Sequence, residues 1–131
     1  MEDKINVYVY GTLRRGQPLY RREMDEYYIR TTTIKDYTLV NLGAFPTIVQ
    51  CNGLEIIVEL YKVPVDMLKL FDRIEGYPNL YDRIKVKNVD GVEGYIYIVD
   101  SVNDDFIKYP NSKYQSIGSD WVEYRKINKG W

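Results

Sequence analysis

The sequence predicts an α+β domain built on a small mixed or antiparallel β-barrel with flanking helices. Three observations carry that expectation. Apolar residues alternate with polar or tyrosine side chains in several short runs, the two-residue period of a strand. One convincing stretch, Met67, Leu70, Phe71 and Ile74, follows the i, i+3, i+4, i+7 spacing of an apolar helical face. It lies between two groups of strand-like runs carrying the turn signals Asn52-Gly53 and Asp90-Gly91, so strands dominate. The chain has 131 residues and no internal repeat, low-complexity tract or linker. One domain over 1–131 is expected, long enough to bury roughly two thirds of its unfolded surface.

In chain order, Ile5, Val7 and Val9 alternate with Asn6, Tyr8 and Tyr10, a strand whose apolar set lies on one sheet face. It stops at Gly11. Without a Cβ, glycine lets backbone approach a ligand closely, and successive N–H groups in such a turn can form a nest for a carboxylate or phosphate. A tight turn with no further role is the alternative. Residues 19–25 are expected as a short helix, and 31–34 and 37–40 as strand, punctuated by Gly43 and Pro46. Runs 47–49 and 54–61 are expected to pair as a hairpin across Asn52-Gly53. Pro64 opens the helix, in the first turn where a missing N–H costs nothing, and Gly76 and Pro78 end it. Ile84 and Val86 alternate with Arg83, Lys85 and Lys87, and Asp90-Gly91 joins them to 95–99 in another hairpin. Residues 103–118 are polar and expected as loop, and 120–126 as a final helix packing Trp121 and Tyr124 against the body.

The balance of 18 basic against 19 acidic residues argues against a nucleic-acid or membrane partner, which a broad positive excess would attract. Arg14, Arg15, Arg21 and Arg22 form a local basic cluster, open to reading as a solvated face or as an anion site. The N-terminus lacks the pattern of a secretory signal, and no apolar run approaches a membrane span. With Cys51 as the single cysteine, a disulfide within the chain and a thiolate metal cluster are both excluded, which fits a reducing, cytoplasmic setting. The chain has no histidine. A Ser-His-Asp triad, a Cys-His pair and a histidine-bound zinc or iron site are therefore excluded, and proton transfer falls to a carboxylate, tyrosine, lysine or the substrate.

Among the carboxylates, Glu75 follows Phe71 by four residues and Leu68 by seven, so a helix brings all three to one stripe. Desolvation there would raise its pKa from about 4.3 toward the neutral range. The alternative is a frayed helix end in water; Asp66 and Asp72 fall toward the polar side. Among 14 tyrosines, which usually pack amphipathically, Tyr81 and Tyr97 are candidate hydrogen-bond donors to a polar cavity.

Two segments, Tyr10-Gly11-Thr12-Leu13 and Phe71-Asp72-Arg73-Ile74-Glu75-Gly76-Tyr77-Pro78 with Tyr81 and Arg83 beyond it, together resemble the gamma-glutamylcyclotransferase family. The likeness continues through 94–99 and, more weakly, Gly118-Ser119-Asp120-Trp121, and Arg14-Arg15-Gly16-Gln17-Pro18 is similar to the gamma-glutamylamine cyclotransferase branch. The resemblance implies a gamma-glutamylcyclotransferase-like barrel whose cavity holds a small gamma-glutamyl substrate, gripped by the backbone of Tyr10, Gly11, Thr12 and Leu13, with Glu75 catalytic. It implies closure of a gamma-glutamyl amide to 5-oxoproline with release of an amine, without metal or cofactor. Many members carry a pair such as Asn-His where this chain has Leu19-Tyr20, which bears on the cavity rim and the choice of substrate. A non-catalytic module binding an amino-acid-like ligand is the second reading. An oligonucleotide-binding barrel using the arginines and tyrosines is the third.

Overall fold

The computed structural model describes residues 3–108 and 114–128. Six strands, β1 Lys4–Val9, β2 Tyr28–Asn41, β3 Pro46–Pro64, β4 Asp82–Lys87, β5 Glu93–Ile98 and β6 Ser116–Gly118, form one sheet in the order β4-β5-β1-β3-β2-β6. β1 runs parallel to β5 and antiparallel to β3, so the sheet is mixed. It curls until the β4–β5 turn reaches β2, where the Val89 N–H donates to the Thr33 carbonyl at 3.0 Å and the Asn88 amide to the Thr32 hydroxyl at 3.3 Å. The edges themselves stay unjoined, β4 pairing with β5 and β6 with β2 among the described residues. The expected barrel is therefore a half-barrel. A last strand of three residues gives too little ladder to close it.

Both faces of the sheet are buried. Val7 and Val9 join a core with Met67, Leu68 and Phe71 of the helix α1, Val65–Glu75, and with Val102 of α2, Asp100–Lys108. Tyr8 and Tyr10 point the other way, into a second core with Ile34, Ile56, Ile96 and Trp121. Their hydroxyls are satisfied inside, donating to the Val92 and Tyr97 carbonyls at 2.6 and 2.7 Å. β1 thus has two interior faces, as the central strand of a sheet covered on both sides must.

α1 starts after Pro64, an extended N-cap, and ends at Gly76, whose φ of 66° puts it in the left-handed region. The turn closes with the Tyr77 N–H on the Asp72 carbonyl at 2.8 Å. Three expectations fail nearby. Residues 47–49 and 54–61 do not pair with each other: both belong to β3, and both pair with β2, Thr38 facing Val49 and Thr31 facing Glu59. Asn52-Gly53 makes a bulge in place of a turn, Gly53 at φ 88° and Asp36 at φ 68° opposite it, joined by the Gly53 N–H on the Asp36 carboxylate at 3.1 Å. Of the stretch 103–118 expected as loop, 103–108 belong to α2, which starts at Asp100, buries Val102 and packs Phe106, one turn on, against the first core, and 116–118 form β6. Residues 109–113 lie outside the described residues. The helix expected over 19–25 is a 3-10 turn displaced to Arg22–Tyr27, docked by Met24. The final helix, α3, Trp121–Ile127, forms as expected, with Asp120 accepting from the Glu123 N–H as its N-cap.

Candidate active site

The end of β1, the start of β3, the end of β5 and the last turn of α1 converge on a narrow cavity of about 20 Å³, room for a water-sized group. The run Tyr10, Gly11, Thr12 and Leu13 forms one wall. Pro46, Glu75, Tyr81 and Tyr97 face it. Outward, Thr12, Glu75 and Tyr81 also line a groove of about 580 Å³, so Glu75 stands where the narrow cavity opens into a ligand-sized one.

Gly11 is required by packing. A Cβ there would lie 2.7 and 2.9 Å from the Pro46 ring, which has no flexible end to move aside, and its φ is not positive. The turn's own hydrogen bonds use the N–H groups of Arg14, Gln17, Leu19 and Tyr20, and not those of Gly11, Thr12 or Leu13, among the described residues. The N–H groups of Gly11, Thr12 and Leu13 thus take no part in the turn's own hydrogen bonds, and all three residues line the cavity.

Glu75 forms no ion pair among the described residues, and burial pushes its carboxyl up to about 7. Burial likewise raises the phenols of Tyr10, Tyr81 and Tyr97, with the Glu75 carboxylate adding to the effect on all three, so they stay protonated at neutral pH. The tyrosine protons are committed within the protein. Tyr81 O–H donates to the Pro46 carbonyl and Tyr97 O–H to Asp72 Oδ1, each at 2.7 Å. Both residues line the cavity, each with its proton given to a protein acceptor here and its oxygen lone pairs left to accept.

Asp72 supports this wall. It accepts from Tyr97 and faces Arg83 at 3.4 Å, whose guanidinium lies over the Tyr77 and Tyr95 rings at 4.5 and 4.9 Å. Sequence reasoning put Asp72 toward the polar side, since period alone does not show that Tyr97, twenty-five residues on, reaches back to it. Pro46 enters the sequence reading only as a break after the strand-rich stretch, and no spacing marks Phe45 as a wall of the groove.

The basic cluster divides: Arg14 is interior, while Arg15, Arg21 and Arg22 are on the solvated face. Arg14 is buried, 7% exposed, with Nε on Glu59 at 2.9 Å and a terminal nitrogen on Asp120 at 2.8 Å. Glu59 also accepts the Arg15 N–H at 3.0 Å and the Tyr61 hydroxyl at 2.9 Å, so the pair fastens the loop after Leu13 to β3 and to the cap of α3. Arg15 lies over the Tyr28 ring at 3.8 Å, while Arg21 and Arg22 are exposed. Cys51 is a partly exposed free thiol in the β3 bulge.

Residues 7–122 match the family model described as gamma-glutamyl cyclotransferase, AIG2-like. The chain belongs to this family. Gamma-glutamylaminecyclotransferase A of Danio rerio is 29% identical, over 87% of this chain and 81% of the fish protein. Among solved structures, an uncharacterised protein of Pyrococcus horikoshii superimposes with a TM-score of 0.70 at 25% identity over 94% of each chain. A mouse AIG2-like protein does so with a TM-score of 0.64 at 26% identity, over 73% of this chain and 77% of that one. As a member of the gamma-glutamyl cyclotransferase family, the protein is a gamma-glutamylcyclotransferase-like enzyme, and the candidate site lies wholly within the matched span. No helix among the described residues is long and apolar enough to cross a membrane.

Proposed function

We propose that this protein cleaves a gamma-glutamyl amide by intramolecular attack of the substrate's alpha-amine, releasing 5-oxoproline and a free amine. The observation that carries the reading is Glu75, a carboxyl at about 7 without an ion-pair partner among the described residues, set between a narrow cavity and an open groove. A base near neutral pKa suits a cycle in which it must both take and return a proton.

The substrate's alpha-carboxylate is placed against the N–H groups of Gly11, Thr12 and Leu13. The remaining atoms of the substrate are placed toward the groove. Ionised Glu75 takes a proton from the alpha-ammonium. The freed amine nitrogen bonds to the gamma-carbonyl carbon, closing a five-membered ring, and the carbonyl electron pair moves onto oxygen as a tetrahedral oxyanion. Glu75 returns its proton to the amide nitrogen, the oxyanion collapses and the carbon–nitrogen bond to the leaving amine breaks. A second proton leaves the ring nitrogen by the same route. The alpha-nitrogen ends with two protons fewer, the leaving nitrogen with two more, and no co-reactant is needed. Holding the chain curled between the loop and the Tyr81 and Tyr97 rings supplies the effective concentration for ring closure.

A reaction using neither metal nor thiol fits the histidine-free chain and a cytoplasmic, small-molecule role, which cell fractionation would check. The test of the chemistry is a panel of gamma-glutamyl amides incubated with the protein and assayed for 5-oxoproline. Release of 5-oxoproline with equimolar amine supports the reading. Binding of the panel without release would replace it with the non-catalytic binding module.

A further inference from the structure

Glu75 shares its cavity with phenols, and the direction of each phenol proton decides what the carboxyl meets. Tyr8 of β1, Tyr10 just after it, Tyr81 before β4 and Tyr97 of β5 line the cavity with Glu75, while β3 adds Pro46, which does not titrate. Arg125 of α3 lines the groove that Glu75 also borders, and the cause of the raised Glu75 titration is burial. Tyr8 gives its proton to the Val92 carbonyl at 2.6 Å. Tyr10 and Tyr81 give theirs to the main-chain carbonyls of Tyr97 and Pro46, each at 2.7 Å. Of the four, Tyr97 alone depends on a side chain, donating to Asp72 Oδ1 at 2.7 Å. Asp72 lies one turn before Glu75 on α1 and is fixed by two further contacts, Oδ2 to Arg83 Nη1 at 3.4 Å and its main-chain carbonyl to the Tyr77 N–H at 2.8 Å. The Tyr97 phenol therefore has two carboxyls within its reach of influence: Asp72, which holds its proton, and Glu75, which lines the same water-sized cavity and whose charge acts on it.

We propose that Asp72 is a positioning residue for the chemistry at Glu75: by accepting the Tyr97 proton it keeps that proton off the Glu75 carboxylate, which is left to accept one from the substrate. The inference rests on the reading of Glu75 as the cyclising base. A phenol has one proton to give, and with Asp72 gone the carboxylate remaining on the cavity wall is Glu75. A carboxylate that receives a hydrogen bond in its charged form is a weaker base. Glu75 would then be ionised at lower pH and take a proton from the substrate ammonium less readily. Asp72 does this without touching substrate.

The test is side-chain carboxyl NMR on protein labelled at glutamate, with the Glu75 resonance assigned by its loss in Glu75→Gln. Wild-type Glu75 is expected to titrate at about 7. In Asp72→Ala the midpoint should fall by about one to two pH units, the effect of one hydrogen bond to a charged group. The acid limb of kcat/KM should move down by the same amount and reach a lower plateau. Asp72→Leu, which keeps the volume and accepts nothing, serves if the alanine variant does not fold. The deciding step adds Tyr97→Phe to either: with no phenol proton to redirect, the midpoint should return to the wild-type value. Structural damage at position 72 would not be undone by removing a second hydroxyl. An unmoved midpoint in the Asp72 variant would overturn the proposal. So would a lowered midpoint that persists after Tyr97→Phe, which would trace the shift to the Arg83 charge that has lost its partner. Because the titration needs no turnover, the two readings fail separately. A phenol-dependent midpoint in a protein that releases no 5-oxoproline would sink the cyclisation and keep the Asp72 contact, and release of 5-oxoproline with an unmoved midpoint would do the reverse.

Discussion

A carboxyl held at about 7 by burial is ionised in about half the molecules at neutral pH, and this gives Glu75 two measurable signatures. The first is kinetic. If ionised Glu75 is the base, kcat/KM should rise about tenfold per pH unit below 7 and level off above it. Glu75→Gln should lose about 10² to 10⁴ in turnover while binding the substrate nearly as well, since the amide keeps the shape and cannot cycle a proton. Unaltered turnover would remove Glu75 from the mechanism. The second signature is stability. The folded pKa lies above the unfolded one, so the folded state holds the extra proton between the two values, and stability falls as pH rises from about 4.5 through 7. The cost at high pH is about 3 kcal/mol for a shift of this size. Urea denaturation should find Glu75→Gln more stable than wild type at pH 8.5 by up to that amount, with the advantage gone near pH 4. A pH-independent difference would mean the carboxyl is not desolvated. Cys51 and metal donors make the contrasting case: Cys51→Ser and exhaustive chelation should each leave turnover within about twofold, since the chain has no histidine and the described residues form no donor group. Loss in chelator, regained with added metal, would contradict this.

The loop after β1 joins the candidate site to the fold through two contacts that sequence spacing does not reveal. Gly11 packs on the Pro46 ring, thirty-five positions later in the chain, and Arg14 is buried against Glu59, forty-five positions later. Periodicity reports which face of an element is apolar and is silent on partners so remote, so the four arginines read as one cluster although only Arg14 is interior. Local signals served better. The glycine that ends α1 and the Asp90-Gly91 turn are short-range chemistry, and each lies where the sequence puts it, as does the final helix to within a residue at each end. Asn52-Gly53 misled because a positive-φ glycine suits a bulge as well as a turn, and α2 was missed because its single buried valine and its Phe106 make too thin a stripe amid polar residues. These contacts set an order for two substitutions. Gly11→Ala should destabilise by about 1–3 kcal/mol through overlap with Pro46, and lower kcat/KM by displacing the N–H groups. Arg14→Ala should cost more, about 3–5 kcal/mol, because it leaves Glu59 buried without its cation. Arg14→Lys should recover little of this, since one ammonium cannot reproduce two directed bonds to two carboxylates. Thermal melts beside kinetics at a temperature where each variant is folded would check the order. Arg14→Ala melting like wild type would show the pair to be solvated.

Across the whole molecule, an open sheet keeps its curl through covered faces and a few hydrogen bonds between elements far apart in the order. The link from the β4–β5 turn to β2 is the longest-range of these, because the two strands stand at opposite sides of the sheet. Asn88 organises it. Only 6% exposed, its side-chain oxygen accepts the N–H groups of Asp90 and Val92, each at 2.9 Å, while its amide donates to Thr32 at 3.3 Å. Asn88→Ala removes the acceptor for two partly buried N–H groups, which costs about 1–3 kcal/mol, or roughly 4–12 °C in Tm for a domain of this size. Tyr97 sits at the other end of β5 from that turn, and Tyr81 just before the matching end of β4. If the two cores hold the curl on their own, kcat/KM at 20 °C should stay within about twofold of wild type while amide exchange quickens in β4 and β5. If kcat/KM instead falls by tenfold or more in protein that is still folded, the turn contact sets the spacing between β5 and the loop at Gly11, and the half-barrel acts as one spring between its edge and its site.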